Sequence, residues 1–166
     1  MSAVLAYVGL GSNLGEPRQQ LASALEALDD IDETRVLRQS SFYRSKPWGI
    51  LEQPDFLNAV AELETRLDPV MLLEELLAVE RKAGRQRDST RWGPRIIDLD
   101  LLIYGMQQIR QDGIEVPHPR LFERSFVVLP LAELRPDLIV PGHGPIADAV
   151  AMVDSGSCLR LALDEG

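Results

Sequence analysis

Apolar and polar positions along this chain switch between two periods. Ala3 to Leu10 is a short apolar run rich in strand formers and closed by glycines, which predicts a first strand. Gly9-Leu-Gly-Ser-Asn-Leu-Gly15 reads as a turn-rich loop. From Pro17 to Leu28 the period lengthens: Leu21, Ala24, Leu25 and Leu28 recur at helical spacing, and Asp29, Asp30 and Asp32 mark a polar exit. Strand character returns from Thr34 to Tyr43 and again from Phe56 to Thr65, with a loop containing two prolines and a glycine, Ser45 to Asp55, between them. Asp68-Pro69 is a helix start, with Asp as N-cap and Pro at the first helical position. The helix that follows carries Met71, Leu72, Leu76 and Val79 on one face, and Gly84 is its expected stop. A polar, cationic loop, Arg85 to Arg95, leads into a fourth strand at Ile96 to Tyr104. Beyond Gly105 the pattern predicts a hairpin through Asp112-Gly113, short helical segments, a turn at Pro141 to Pro145 and a helix at Ile146 to Val153.

The order βαββαβ predicts an α+β fold with a ferredoxin-like, split βαβ core and additional C-terminal elements. No repeat, low-complexity tract or linker divides the 166 residues, so one domain spanning 1–166 is expected. Both long loops run to about eleven residues, a length that is uncommon in compact domains and usually functional.

Composition adds limits. Hydrophobic content of 45% and charged content of 26% are those of an ordinary globular domain with one core. No apolar run approaches the ~20 residues of a membrane span, and the N-terminus lacks a basic region followed by an apolar one. Cys158 is the single cysteine and rules out an intramolecular disulfide framework. These features predict a cytoplasmic protein. The net charge of -9 disfavours nucleic acid, whose binding rests on neutralising phosphates. It also opposes a polyanionic ligand unless cations are concentrated locally. Arg81, Lys82, Arg85, Arg87, Arg91 and Arg95 provide that concentration: six of 17 basic residues fall within one fifteen-residue stretch.

That patch runs into the most informative segment, Arg91-Trp-Gly-Pro-Arg-Ile-Ile-Asp-Leu-Asp100. In a strand, Asp98 and Asp100 point to the same face about 6.6 Å apart. Two like charges at that distance repel by roughly 2.5 kcal/mol at an effective dielectric of about 20. Compensating cations are therefore expected. Hard oxygen ligands suit Mg²⁺, which takes one or two carboxylates and leaves its other positions to water and phosphates. The arginines match phosphate oxygens by bidentate hydrogen bonding. The residues alone leave a second reading open, in which the aspartates pair with Arg91 and Arg95 as a structural ion network.

No standard phosphate cradle is present. Leu14 occupies the position where a dinucleotide fingerprint needs its third glycine, and there is no P-loop. Nor is there a Cys/His cluster with zinc spacing. His118, between two prolines, has a fixed backbone. Trp48, Phe56, Trp92 and Phe126 border loops and could stack on a planar heterocycle, while Asn58 offers a donor and an acceptor to its edge.

Taken in order, Gly11-Ser-Asn-Leu-Gly15, Ser41-Phe-Tyr-Arg44, Gln53-Pro-Asp-Phe-Leu-Asn58, Glu80, Gly84-Arg85, Arg91-Trp-Gly-Pro-Arg95, Asp98-Leu-Asp100 and Val116-Pro-His118 form one pattern. It runs from about Tyr7 to Leu131 and closely resembles the 6-hydroxymethyl-7,8-dihydropterin pyrophosphokinases of folate biosynthesis. The resemblance implies transfer of the β,γ-diphosphoryl group of ATP to the pterin hydroxymethyl oxygen, with release of AMP. It implies two Mg²⁺ ions on Asp98 and Asp100, and a catalytic group of Arg85, Arg95, Asp98 and Asp100. Glu80, Arg87, Arg91, Trp92, His118 and Arg124 are implied on the ATP side. Ser45, Trp48, Phe56, Asn58 and Phe126 are implied on the pterin side. The partners expected are these two small molecules, with neither nucleic acid nor membrane, for a monomeric enzyme. Phe56 stands where the family often has tyrosine, Lys46 and Trp48 replace a familiar proline and leucine, and Pro119 replaces a frequent aromatic. From another class, the competing expectation is a non-catalytic ferredoxin-like ligand-binding or regulatory module.

Overall fold

The computed structural model describes residues 2–13, 15–46, 54–83, 97–111, 113–154, 156 and 158–161. Strand β1 spans Val4–Ser12 and helix α1 spans Pro17–Asp29, with Pro17 at the helix start and Leu21, Ala24, Leu25 and Leu28 buried. Next come β2 (Thr34–Gln39), β3 (Tyr43–Ser45) and the long β4 (Phe56–Thr65). Helix α2 spans Pro69–Lys82. The Asp68 carboxylate caps it by accepting from the Met71 N–H at 2.8 Å. Strand β5 (Asp98–Tyr104) is followed by the hairpin strands β6 (Ile109–Gln111) and β7 (Ile114–Val116). A 3-10 turn at Leu121–Glu123 leads into α3 (Ser125–Leu134). The short strands β8 (Ile139–Val140) and β9 (Gly144–Pro145), helix α4 (Ile146–Met152) and strand β10 (Cys158–Arg160) complete the order.

Six strands form one antiparallel sheet in the order β10-β3-β4-β1-β5, with β2 pairing β4 alongside β3. The central strands β1 and β4 alternate their side chains between two covered faces. On one face Ala6, Val8, Leu10, Leu63, Leu99 and Leu101 pack against Leu21, Leu25, Leu28, Leu72 and Leu76 of α1 and α2. On the other, Tyr7, Val60, Leu102 and Ile103 pack against Val127, Val128 and Leu131 of α3 and Ile146 of α4. The result is a mixed α/β layered arrangement in which the sheet is buried on both sides.

A bulge in β5 breaks its alternation. Tyr7 pairs with Ile103 and Val8 with Leu101, so Leu102 is an extra residue. Leu102 and Ile103 therefore both face α3, and Tyr104 returns to the α1/α2 core. There its hydroxyl donates to the Leu67 carbonyl.

Several expectations change. The glycines at 9 and 11 belong to β1 rather than to a loop, pairing with Val60 and Asn58. The strand expected over Thr34–Tyr43 is broken in two. Ser40 fills the break, donating its N–H to the Val60 carbonyl at 2.8 Å and accepting from the Val60 N–H through Oγ at 2.9 Å. Ser45, expected in a loop, ends β3. Met71, expected on the core face of α2, is 49% exposed; the buried stripe is Leu72, Leu76 and Glu80. Strand β10 was not anticipated. Cys158 within it is buried, and burial pushes its thiol up to about 11, which makes it a packing group. Gly84 lies outside the described residues. No described helix is long and apolar enough to cross a membrane.

Away from the site discussed below, Glu62 binds α3 to the sheet. Its carboxylate, 2% exposed, accepts from Tyr7 Oη at 2.6 Å, from Arg38 Nε at 3.1 Å and from Arg135 Nε at 2.8 Å. Burial alone would raise its pKa, but the hydrogen bonds from Arg38, Tyr7 and Arg135 outweigh it and hold the group at about 2.

Candidate functional site

Strand register brings the site together. Tyr43, Asn58, Gly11 and Asp98 are successive partners across β3, β4, β1 and β5. One step along, Val60, Gly9 and Asp100 form the next row. Alternation puts both rows on the α3 side of the sheet. Because β1 offers only glycine in each row, a trough separates Asn58 from Asp98. Its width is two strand spacings, roughly 10 Å. A Cβ at Gly11 would stand 3.2 Å from Asn58 Oδ1 and 3.8 Å from the Phe56 ring, so the glycine keeps this floor open.

The β4 side of the trough is polar and fixed. Asn58 is 3% exposed and donates from Nδ2 to Ser45 Oγ at 2.7 Å. With its NH₂ committed to Ser45, its carbonyl is the atom facing Gly11. Phe56, half-buried, precedes it by two residues on the same face. Asn13, buried just beyond β1, donates to the Pro54 carbonyl at 3.0 Å and so ties the chain after β1 to the entry of β4.

The β5 side carries the acids. Ile97, Leu99 and Leu101 point into the α1/α2 core, leaving Asp98 and Asp100 together on the α3 face, both partly exposed. Behind them, Glu80 of α2 is 2% exposed and accepts the Leu99 N–H at 2.7 Å. His118 reaches the pair because its N–H donates to the Leu102 carbonyl at 2.8 Å. Its Nε2 lies 4.0 Å from Asp100 Oδ1. Burial, then the nearby Arg124, pushes His118 down to about 4, so the ring is neutral near pH 7. Its Nδ1 accepts from the Arg120 N–H at 3.1 Å, which assigns the remaining proton to Nε2, facing Asp100.

Arg124, at the entry of α3, links the two halves. Its Nη1 is 3.8 Å from Asp100 Oδ2, and its guanidinium lies 5.6 Å from the centroid of the Phe126 ring. Phe126 is half-buried in the first turn of α3.

Nine of the expected residues are thus located: Ser45, Phe56, Asn58, Glu80, Asp98, Asp100, His118, Arg124 and Phe126. All but Glu80, which supports the acids from behind, lie toward the α3 face of β3, β4 and β5. Trp48, Arg85, Arg87, Arg91, Trp92 and Arg95 lie outside the described residues. Sequence reasoning missed Gly9 and Gly11 as floor residues. The available signal was a pair of glycines two apart in a strand-like run, which marks close approach of a ligand or backbone. Among the described residues no group of three or more His, Cys, Asp or Glu converges. Two adjacent, partly solvated carboxylates form a donor set that fits Mg²⁺ bound with substrate phosphates rather than a closed protein cage.

Residues 7–136 match the model of the family described as 7,8-dihydro-6-hydroxymethylpterin-pyrophosphokinase, HPPK. A 2-amino-4-hydroxy-6-hydroxymethyldihydropteridine pyrophosphokinase of Haemophilus influenzae is 42% identical over 158 residues, covering 95% of this chain and 98% of the relative. The enzyme of that name from Pseudomonas aeruginosa is 49% identical over 145 residues, covering 87% and 89%. Among solved structures, an HPPK-DHPS in complex with substrates superposes with a TM-score of 0.75 at 11% identity over 98% of this chain. Plasmodium falciparum HPPK-DHPS with pterin and p-hydroxybenzoate gives 0.71 at 13% identity over 92%. The chain spans 47% and 42% of those two longer proteins, and the likeness to them is one of fold. By the family match and the two curated relatives, the chain belongs to the 7,8-dihydro-6-hydroxymethylpterin-pyrophosphokinase family.

Proposed function

We propose that this protein transfers the β,γ-diphosphoryl group of ATP to the hydroxymethyl oxygen of 6-hydroxymethyl-7,8-dihydropterin in folate biosynthesis. The substrate oxygen bonds to the β-phosphorus, the bond from that phosphorus to the α,β-bridging oxygen breaks, AMP leaves and the hydroxyl proton is released. The observation that carries this reading is the glycine-floored trough between Asn58 and the Asp98/Asp100 pair, which suits a flat heterocycle on one side and a phosphate chain on the other.

Phe56 and Phe126 offer ring faces to the pterin, and Asn58, with Ser45, reads its edge. Trp48 is assigned to the same substrate. Asp98 and Asp100 hold two Mg²⁺ ions. Those ions would neutralise the triphosphate and stabilise the leaving AMP. Arg85 and Arg95 hold phosphates, and Arg87, Arg91 and Trp92 contact the nucleotide. Arg124 adds positive charge beside Asp100, and neutral His118 offers an Nε2–H donor there. Glu80 serves this side through the strand it braces. The frame is read as ferredoxin-like: counting β2 and β3 as one edge, the sheet order 2-3-1-4 with two helices on one face supports that assignment.

The test is AMP formation from ATP with Mg²⁺ and the pterin alcohol. Pterin-dependent AMP release, abolished by chelation of divalent ions, is expected. AMP release no faster with the pterin than without it would overturn the assignment.

A further inference from the structure

Glu133 has no part in the site just described, yet it is heavily engaged. It sits on the last turn of α3, its side chain 22% exposed. Its two oxygens accept from the Ser41 N–H at 3.1 Å each, from Ser41 Oγ at 2.9 Å and from Tyr43 Oη at 2.8 Å. Arg160 Nη2 of β10 approaches at 3.4 Å, and Arg160 Nε donates to Ser41 Oγ at 3.1 Å. Burial, followed by the bond to Glu133, pushes the Tyr43 hydroxyl up, so it remains a donor.

Two periodicities connect this cluster to the trough. On α3, Phe126 and Glu133 are seven residues apart, which is nearly two full turns and returns to the same side of the helix about 10.5 Å along it. On β3, Tyr43 and Ser45 are two apart and share a face. One carboxylate therefore joins the helix that presents Phe126 to the strand that presents Ser45, and Ser45 in turn fixes Asn58 at 2.7 Å. Apart from the Glu62–Arg135 pair at the end of α3, the rest of the α3–sheet contact is largely aliphatic packing, through Val127, Val128 and Leu131. Such packing is non-directional. Charge-assisted hydrogen bonds supply the directional part that sets one element against another.

We propose that Glu133 is a positioning residue for pterin recognition, holding Phe126 on α3 in register with the Ser45–Asn58 edge through Ser41 and Tyr43. It rests on the reading of Ser45, Asn58 and Phe126 as the pterin side of the site. Glu133 acts through its neighbours and touches no substrate.

The proposal is tested by measuring Kd for the pterin and for an ATP analogue separately in Glu133→Gln, Tyr43→Phe and Asn58→Ala. Glu133→Gln preserves shape but not charge. Tyr43→Phe removes one hydrogen bond at small cost to folding and stands in if Glu133→Gln is unstable. Pterin Kd is expected to rise about tenfold in Glu133→Gln and about threefold in Tyr43→Phe, with nucleotide Kd within about twofold of wild type. Equal weakening of both ligands, or no weakening of either while Asn58→Ala still loses pterin, overturns the proposal and leaves the site reading standing. Unchanged pterin binding in Asn58→Ala overturns the site reading, and the proposal with it.

Discussion

Glu80 accepts the backbone N–H of Leu99 at 2.7 Å, from behind the strand and midway between Asp98 and Asp100. Strand β5 ends the described sheet order, so its outer backbone groups lack a neighbouring strand. The Glu80 carboxylate fills that role at the residue where the acids must be held. It can do so because Leu72, Leu76 and Glu80 recur every four residues on the buried side of α2. Glu80→Ala strands a buried N–H and is expected to cost about 1–3 kcal/mol of stability. It should also raise the Mg²⁺ concentration needed for half-maximal activity, since both proposed ligands hang from the loosened strand. Glu80→Gln, which keeps an acceptor, should fall between the two. Denaturant unfolding and a Mg²⁺ titration of each variant check this. An unshifted Mg²⁺ requirement in the alanine variant would refute the bracing role.

Replacing Asp98 or Asp100 with Asn preserves volume and removes one charge. Turnover should fall roughly 100-fold or more in each, equivalent to at least about 2.7 kcal/mol of transition-state stabilisation. Stability should change little, because both carboxylates are partly exposed, where an ion pair such as Asp100–Arg124 is worth about 0–1 kcal/mol. Steady-state rates and melting curves decide it; near-normal rates in both variants would contradict metal ligation by this pair.

Gly11→Ala places a methyl 3.2 Å from Asn58 Oδ1, closer than ordinary contact, and 3.8 Å from the Phe56 ring. Asn58 is fixed by Ser45, so the strain falls on the trough. KM for the pterin should rise about tenfold while KM for ATP changes little. A methyl at Gly9 would have the Leu102 side chain as its nearest neighbour, at 3.5–3.7 Å, an ordinary contact, so Gly9→Ala should fold normally. A selective loss for ATP in Gly11→Ala would place the pterin elsewhere.

Glu62 gives the fold an acid-sensitive element. Its pKa is held at about 2 in the native state against 4.5 for the free group. The unfolded chain therefore binds this proton first as pH falls. The stabilisation is fully present above about pH 4.5 and is lost progressively down to about pH 2, amounting to about 3 kcal/mol. Glu62→Gln should be less stable at pH 7, and its stability should fall less steeply between pH 4.5 and 2. Urea unfolding at several pH values checks this, and parallel pH profiles for the two proteins would remove Glu62 from the account.

Much of this was legible in the chain because the signals are local. Leu21, Ala24, Leu25 and Leu28 announced α1, and Asp68-Pro69 announced the start of α2. The two-residue spacing of Asp98 and Asp100 needs only a strand to put both acids on one face. What escaped notice depends on distant partners. Ser41 and Glu133 lie 92 positions apart, and nothing near either residue signals the bond. Residues 158–160 become a strand only because Ser45 to Tyr43 offer them an edge. The glycines at 9 and 11 looked like a turn because glycine is common in turns. In β1 their value is the missing side chain, visible only once Asn58 and Asp98 stand on either side.

The extra residue at Leu102 has a consequence for what this lineage can vary. Parity along β5 is set at two anchors: Tyr104 must enter one interior while the acids two and three turns of the pleat away must open onto the other side. Only an odd insertion reconciles both demands. Deleting one residue between Leu101 and Tyr104 would rotate the acids into hydrocarbon or drive the phenol out of it. The number of residues between the acids and the phenol is therefore fixed by the two faces they must occupy.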